Sequence, residues 1–208
     1  MQSRTFELRR CVFVAVLFVL AQFLSGSQVN AQPAVEQVVV PESECRVKYV
    51  YLYSFGLLTK WPEATFKRTN NKFVIGVLGD KPFGNLLDEI AKRRKIDKRS
   101  IVIRRFKSID QYRPCHILYV TESVDEEDAE DAVKKLKGDS VLIVGETQGF
   151  EFSGGVVSFR IEDENVKFSL NVDAVKRRQL MVSARLSRLA SLVRDRDRRQ
   201  PVSTAENR

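Results

Sequence analysis

Four short apolar runs alternate with amphipathic stretches through the middle of the chain. The first run, residues 73–78, is closed by Gly79 and Asp80, which is typical of a buried strand that stops at a tight turn. Similar runs follow at residues 101–106, 117–120 and 141–144. Helical spacing of apolar residues is found at residues 42–60, 82–93 and 125–137. This alternation predicts an α/β domain with a mostly parallel sheet.

The last third of the chain breaks this alternation. Residues 156–161 and 166–170 are strand-like runs joined by a polar turn, which predicts an antiparallel hairpin. Asn171 and Ser183 are suited to cap two further helices, the second running to about residue 193 with its leucines facing the core. The predicted fold is therefore a three-layer α/β domain whose central, mostly parallel sheet has the flavodoxin-like strand order and is extended by an antiparallel C-terminal hairpin.

The beginning of the chain is typical of a secretory signal peptide. Three arginines precede an apolar stretch at residues 11–24, and residues 29–31 form a small-residue cleavage site. The apolar stretch is shorter than the roughly 20 residues that cross a bilayer, so a retained anchor is the weaker alternative. We expect export and cleavage near Ala31, with no membrane insertion of the mature chain. The expected organisation is a signal peptide (1–31), a flexible segment (32–44), one domain (45–193) and a disordered tail (194–208).

The charged residues indicate solvated helix faces. The chain carries a net charge of +8, and without residues 1–31 it keeps 32 basic and 26 acidic side chains. Basic runs at residues 92–95 and 176–178 are separated along the chain, and residues 125–131 are strongly acidic. A nucleic-acid-binding protein would gather basic and aromatic residues on one face. We therefore expect no nucleic-acid partner, and contact of these runs with an acidic protein or a membrane surface is the alternative.

Several short motifs follow one another in a recognisable order. They are residues 51–55 (YLYSF), 61–62 (WP), 77–84 (VLGDKPFG), 115–120 (CHILYV), 144–146 (VGE), 149–150 (GF), 154–155 (GG) and 170–171 (LN). Together with the leucine pattern of residues 180–190, this series resembles the YfiR-like family of exported bacterial proteins. The resemblance covers about residues 45–193, nearly all of the predicted domain.

The resemblance implies a periplasmic regulator with no catalysis and no cofactor of its own. Members of the family bind the periplasmic sensor domain of an inner-membrane diguanylate cyclase and hold it inactive, which lowers cyclic di-GMP and restrains biofilm formation. Other members are expected to serve sensors such as histidine kinases. The implied partner is therefore a membrane sensor protein, either a diguanylate cyclase or a histidine kinase, and self-association as a homodimer is also expected. The alternative is a periplasmic small-molecule binding protein that feeds a sensor kinase or a transporter.

The cysteines depart from the family pattern. Relatives often carry a cysteine at the position of Gly76, facing the one that matches Cys115, and that pair cannot form here. Once the signal peptide is removed, Cys45 and Cys115 remain, an even count in an oxidising compartment. A disulfide between them requires the start of the first helix to lie within about 6 Å of the third strand. The alternative is two half-buried thiols.

Catalytic and metal-binding sites find little support in the sequence. His116 is the only histidine, and its neighbour Cys115 would point to the opposite face of a strand, so the two cannot act as base and nucleophile. A zinc site needs more ligands than one histidine and two distant cysteines supply. The glycines at positions 76, 79 and 84 do not have the spacing of a dinucleotide or phosphate-binding loop. We therefore expect a protein that is not an enzyme and holds no metal.

Two surfaces are candidates for binding. In a flavodoxin-like sheet the first and third strands end at a topological switch point, which would form a ligand crevice from two loops, with a tightly packed edge as the alternative. The crevice candidates are Gly79, Asp80, Pro82, Phe83, Thr121, Glu122 and Ser123. The second surface is the loop at residues 148–152, where two aromatic residues flank an acid and could anchor a partner. Its candidates are Phe150, Glu151 and Phe152, with the alternative that Phe150 fills the core.

Overall fold

The computed structural model describes residues 42–80 and 84–199. The predicted signal peptide, the segment up to residue 41, the crevice candidates Pro82 and Phe83, and residues 200–208 of the predicted tail lie outside the described residues.

Helices and strands alternate along this part of the chain, as the apolar pattern predicts. The α-helices are α1 (Glu42–Leu58), α2 (Glu63–Lys67), α3 (Leu86–Arg93), α4 (Glu126–Lys135), α5 (Val172–Arg177) and α6 (Ala184–Leu189). The strands are β1 (Thr59–Lys60), β2 (Phe73–Leu78), β3 (Lys95–Ile96), β4 (Arg99–Phe106), β5 (Ile117–Val120), β6 (Leu142–Gly145), β7 (Val157–Glu162), β8 (Asn165–Asn171), β9 (Met181–Val182) and β10 (Ser191–Val193). Short 3-10 helices occur at Ile109–Gln111, Phe150–Phe152 and Asp195–Arg199.

The main sheet has the strand order β10-β8-β7-β6-β5-β2-β4-β3. Strands β4, β2, β5, β6 and β7 run parallel. The first four parallel strands along the chain thus lie in the spatial order second, first, third, fourth, which confirms the predicted flavodoxin-like arrangement. The last residues of these strands, Phe106, Leu78, Val120 and Gly145, are in register with one another. The carboxyl ends of the four strands therefore meet at one edge of the sheet.

The predicted hairpin is confirmed as β7 and β8, which pair antiparallel with Phe159 opposite Phe168. Its two turn residues, Asp163 and Glu164, both have positive φ angles, 49° and 59°. A two-residue turn of this kind matches the right-handed twist of the strands that it joins.

The C-terminal helix is shorter than the sequence predicts. Both caps are confirmed: the Asn171 side chain accepts two backbone N–H groups of α5 at 3.0 Å, and Ser183 Oγ accepts the Leu186 N–H at 3.2 Å. However, α6 ends at Leu189, and β10 follows as a strand parallel to β8. The prediction of a helix up to residue 193 is wrong because the edge of β8 offers hydrogen bonds to this segment, and Leu189 is left 57% exposed.

The segment after Arg194, expected to be disordered, begins with the 3-10 helix Asp195–Arg199. Asp195 forms an ion pair with Arg177 and accepts a hydrogen bond of 2.9 Å from Asn171 Nδ2. The hydrogen bond from Arg177 lowers the pKa of the Asp195 carboxyl group. These contacts attach the segment to the start and end of α5.

Two hydrophobic clusters cover the two faces of the sheet. Because side chains alternate along a strand, Val77 of β2 belongs to the cluster that contains Phe55 of α1, whereas Val74 belongs to the cluster that contains Ala132 of α4. The predicted three layers are therefore present, with α1 on one face and α4 on the other.

Candidate functional site

A polar crevice lies at the carboxyl edge of the sheet, at the switch point that the strand order predicts. Its volume is about 410 Å³, and it is bordered by Gly79 and Asp80 after β2 and by Ser123 after β5. Lys107 and Ser108, which follow β4, form the opposite wall. Three of the predicted crevice residues, Gly79, Asp80 and Ser123, are therefore brought together.

Thr121 supports the crevice through a chain of short hydrogen bonds. Its Oγ1 lies 2.8 Å from Ser123 Oγ, which in turn accepts the Asp80 N–H at 2.9 Å. Gly79 has a φ of 97°, and a side chain at this position would collide with the Thr121 hydroxyl. Glycine is therefore required at this turn, both for its φ and for the close approach of the two loops.

The crevice has a mostly negative lining. Asp80, Asp125 and Asp128 contribute carboxylates, and Lys107 contributes one ammonium group. Asp125 also caps α4, because its Oδ1 accepts the Asp128 N–H at 2.8 Å. This set of groups can hydrogen-bond a polar molecule or hold a cationic group.

A buried cluster of charged side chains lies at the same edge, on the α1 face, and the sequence did not predict it. Lys48 Nζ of α1 contacts Glu146 Oε1 and Glu44 Oε1, each at 2.5 Å. The side chains of Lys48 and Glu146 are each only 7% exposed. Glu146 Oε2 also accepts the Glu122 N–H at 2.9 Å. Glu122, which was predicted to line the crevice, therefore holds Glu146 in this charged cluster.

The electrostatics of this cluster follow from its burial. Burial opposes the charge of Lys48, but the hydrogen bonds to Glu146 and Glu44 outweigh it and raise the pKa of the ammonium group. Tyr119 lies beside Glu146. The pKa of its phenol group is raised, mainly because the group is buried and also because the Glu146 carboxylate is close. The sequence offered one indication, the VGE motif that ends β6, but Lys48 is 98 residues away along the chain.

The loop at residues 148–152 places its three candidates in different environments. Phe150 is 4% exposed and fills the space left by Gly145 and Gly155, so the alternative that it fills the core holds. Glu151 is buried and accepts a hydrogen bond of 2.6 Å from Ser169 Oγ. Phe152 is half-buried and lines a hollow of about 250 Å³ beside α4. Phe152 is thus the member of this group that a partner could reach.

An apolar surface follows α1 and α6, and we call it the α1–α6 surface. It consists of Val47, Val50 and Leu57 of α1 and Leu189 of α6, which are 41–57% exposed. The three α1 positions recur at helical spacing and lie on one side of the helix. A shallow groove between the two helices is lined by Val50, Leu57 and Leu189. Contiguous exposed apolar groups of this kind often mark interaction sites.

The family of this chain follows from its match to a known protein family. Residues 45–191 match the YfiR/HmsC-like family, which is most of the described chain. The chain belongs to the YfiR/HmsC-like family. This is a regulatory, non-catalytic family.

A conserved domain protein from Vibrio cholerae O1 biovar eltor has a similar solved structure, with 11% sequence identity and a TM-score of 0.44. The alignment covers 62% of this chain and 57% of the other, so the chain spans just over half the length of that structure. No curated protein matches the chain significantly.

The cysteines of this YfiR/HmsC-like protein do not form the disulfide that the sequence left open. Cys45 packs in the cluster on the α1 face, and Cys115 packs in the cluster on the α4 face, so the sheet separates them. Both side chains are buried, whereas the alternative expected them to be half-buried. Burial raises the pKa of the Cys45 thiol and raises that of Cys115 to about 12. A Cβ atom on Gly76 would lie 3.2 Å from Cys115 Sγ, so these positions face each other as the family pattern implies.

His116 is a neutral core residue. Its ring stacks between Phe66 and Phe73, with centroid distances of 4.4 and 4.8 Å, and its Nδ1 accepts the Val74 N–H at 3.0 Å. Burial lowers the pKa of the imidazole to about 4. Within residues 42–80 and 84–199, no group of three or more histidine, cysteine or carboxylate side chains is arranged to hold a metal ion. Among the described helices, none is long and apolar enough to cross a bilayer.

Proposed function

We propose that this protein is a periplasmic regulatory binding protein that sequesters the extracytoplasmic domain of an inner-membrane signalling protein. The proposed partner is a diguanylate cyclase, and its sequestration lowers cyclic di-GMP output. Membership of the YfiR/HmsC-like family supports the regulatory role. The observation that carries the binding role is the α1–α6 surface.

The α1–α6 surface supports a protein partner because exposure of its side chains to water is unfavourable. Burying apolar surface contributes about 25 cal/mol per Å² removed from water, so aliphatic side chains that are half exposed gain from a partner that covers them. Val47 and Val50 lie near the start of α1, close to the carboxyl edge that holds the buried Lys48 pair. A partner that binds here would contact a helix whose N-terminal half is held on the sheet by the ion pair of Lys48 and Glu146.

The experiment is crosslinking and capture from the native membrane fraction with the purified protein, followed by mass spectrometry of the recovered proteins. We expect recovery of a membrane diguanylate cyclase. The double variant Val47→Glu with Val50→Glu places two carboxylates on the α1–α6 surface and is expected to lose this capture. Both positions are exposed, so folding is not the expected cause of the loss.

The matched control is Ile161→Glu on β7, because Ile161 is 52% exposed, as Val50 is. This variant is expected to retain the capture. Equal capture by the double variant and the control would reject the α1–α6 surface as the binding site. Recovery of a histidine kinase would assign the protein to another signalling circuit.

Phe152 is the second candidate contact. Its half-buried ring beside α4 could serve as an aromatic anchor for the same partner. Phe152→Ala is expected to weaken capture of the partner while leaving the folded state intact. Undiminished capture by this variant would remove Phe152 from the binding surface.

A second candidate function is the delivery of a small molecule to a sensor kinase or a transporter. The polar crevice at the switch point favours it, since ligands of α/β sheets bind at this edge. Under this alternative, Gly79→Ala closes the crevice and abolishes ligand binding, while the Val47→Glu and Val50→Glu changes leave ligand binding unaffected. The two functions can therefore be told apart: loss of ligand binding in Gly79→Ala supports delivery of a small molecule, and loss of partner capture in the Val47→Glu and Val50→Glu variant supports sequestration.

A further inference from the structure

The two edges of the main sheet carry opposite charges. At the carboxyl edge, residues 79–80, 107–108 and 121–128 follow β2, β4 and β5, and Lys107 is the one basic residue among them. The exposed acidic residues there are Asp80, Glu122 and residues 125–128. At the amino edge, the segments that precede β2, β4, β5 and β6 carry six exposed basic residues. We call this set the basic edge: Lys72, Arg94, Lys95, Lys98, Arg113 and Lys137.

The segments of the basic edge are held side by side. Arg99 donates to Asn71 Oδ1 at 2.8 Å, which joins the segment before β4 to the segment before β2. Arg68 and Asp139 form an ion pair of 2.9 Å, which joins the segment before β2 to the segment before β6. Strand β5 lies between β6 and β2, so the segment before β5 lies within the same row. The six basic residues therefore belong to one edge of the sheet, although they are spread over the chain.

The positive charges of the basic edge are not neutralised within the fold. Residues 68–72, 94–100, 112–116 and 136–141 contain two acidic side chains, Asp97 and Asp139. Both are bound by arginines outside the set, Asp97 by Arg99 at 2.7 Å and Asp139 by Arg68. Within residues 42–80 and 84–199, none of the six residues of the basic edge forms an ion pair. An external anionic surface can therefore meet all six charges.

The acidic carboxyl edge is too distant to cancel this attraction. Strand β2 has six residues, and a strand rises about 3.3 Å per residue, so the two edges are about 20 Å apart. This is about twice the Debye length of 10 Å at 0.1 M salt. A negative surface in contact with the basic edge is therefore screened from the acidic edge, and the residual repulsion turns the acidic edge away from that surface.

The residue types of the basic edge favour a lipid surface. Four of its six residues are lysines, which are depleted in protein interfaces, and the nearby Arg68 and Arg99 are already engaged within the fold. A site for nucleic acid would add exposed aromatic rings on which bases stack. Trp61, Phe66 and Phe73, the aromatic residues of the segment before β2 and of its first position, are at most 8% exposed.

We propose that the basic edge docks on a bilayer surface of anionic phospholipids, with the strands of the sheet pointing away from the bilayer. In this orientation the carboxyl edge and its polar crevice face the aqueous side. The proposal goes beyond sequestration of a protein partner and does not depend on the identity of that partner. Docking would concentrate the protein at the membrane in one orientation.

The test is sedimentation of the purified protein with vesicles of phosphatidylglycerol mixed with phosphatidylcholine, and with vesicles of phosphatidylcholine alone. We expect binding to the vesicles that contain phosphatidylglycerol and much weaker binding to the others. We also expect this binding to be lost when the salt is raised from about 0.1 M to about 1 M, because the Debye length falls from about 10 Å to about 3 Å.

The double variant Lys72→Gln with Lys137→Gln removes two charges from the basic edge. A basic side chain near an anionic membrane contributes about fivefold in affinity, so this variant should bind the phosphatidylglycerol vesicles roughly 30 times more weakly. The matched control is Lys107→Gln with Lys167→Gln, which removes the same charge from exposed positions after β4 and on β8. The control should bind within about twofold of the unmodified protein, because its positions lie beyond the Debye length. The two variants share residues 1–41, so any contribution of that segment is equal in both.

Four results would overturn the proposal. Three of them are equal binding to both kinds of vesicle, binding that is unchanged at high salt, and an equal loss in the control variant. The fourth is self-association of the protein without vesicles that the Lys72→Gln and Lys137→Gln variant loses and the control keeps, since the basic edge would then bind the acidic edge of a second copy. Circular dichroism checks the fold of each variant; if one is unfolded, the lipid and salt comparisons on the unmodified protein decide.

Discussion

Replacing Lys48 with methionine tests whether the charged cluster at the carboxyl edge stabilises the fold. The methionine fills a similar volume but removes the ammonium group that contacts Glu146 and Glu44. Glu146 keeps its hydrogen bond from the Glu122 N–H but loses its buried counter-charge. The variant thus leaves a carboxylate that is 7% exposed without its cation.

The magnitude follows from the cost of an unpaired buried charge. Breaking a buried ion pair by removing one partner costs about 3 to 5 kcal/mol. Glu44 is 20% exposed, so water reaches one side of the cluster, and we expect the lower end, about 3 kcal/mol. For a domain of this size that corresponds to a fall in Tm of about 6 to 12 °C.

The assay is urea unfolding followed by the fluorescence of Trp61, the single tryptophan, which is 8% exposed in the folded protein. The exposed pair of Lys92 and Glu89 provides the control, because the Lys92 side chain is 70% exposed and Lys92→Met should change stability very little. Adding Glu146→Gln to Lys48→Met removes the unpaired charge, and the double variant should be more stable than Lys48→Met by about 1 kcal/mol or more.

Two results would refute this reasoning. The first is a loss of less than about 1 kcal/mol for Lys48→Met, which is the range of a solvated surface pair. The second is a double variant less stable than the single one, because the charge left behind would then not be the cause of the loss.

The remaining predictions concern three other buried contacts. The pKa of His116 is about 4 in the folded protein, against an ordinary value of 6.5, so the unfolded chain binds a proton first as the pH falls. The free energy of unfolding should therefore decline by about 3 kcal/mol between pH 6.5 and pH 4. The NMR signal of the imidazole, which comes from the single histidine of the chain, should report a neutral ring throughout that decline. Gly145→Ala should lower the free energy of unfolding by about 1 to 3 kcal/mol, because its methyl group would collide with the Phe150 ring. In urea unfolding, Phe150→Leu should then cost less stability in the Gly145→Ala variant than in the unmodified protein, because the smaller side chain relieves the collision. Arg178→Met should cost about 1 to 3 kcal/mol by the same assay, because the buried guanidinium of Arg178 donates to the Leu136 carbonyl at 2.8 Å and to the Asp139 carbonyl at 3.3 Å, and both hydrogen bonds from this charged donor are lost. A loss below about 0.5 kcal/mol would contradict this role.

The sequence predicts the layout of the sheet because apolar runs and their turns are local properties. The run at residues 73–78 and its three successors become β2, β4, β5 and β6, and the flavodoxin-like order brings Gly79, Asp80 and Ser123 to one crevice. The strands and the crevice can be predicted from the length of the apolar runs and from the rule that the carboxyl ends of parallel strands lie at one edge of the sheet.

Features that depend on pairing between distant segments were missed. Strand β10 has three residues, and its backbone is strand-like because β8 lies beside it, which no local pattern reveals. Lys48 and Glu146 meet only after α1 packs on the sheet, so their ion pair has no trace in residue spacing. Burial of Phe150 depends on Gly145 and Gly155, whose missing side chains make the space that the ring occupies.

Both outer strands of the sheet are very short: β3 has two residues and β10 has three. In the described part of the chain, β3 pairs only with Arg99 and Ser100 of β4, and β10 pairs only with the last three residues of β8. The rest of the outer edge of each of these longer strands therefore has no neighbouring strand, and an open edge can pair with a strand of another chain. Sheet extension is thus a way for two copies of this protein to join that leaves the helical surfaces free.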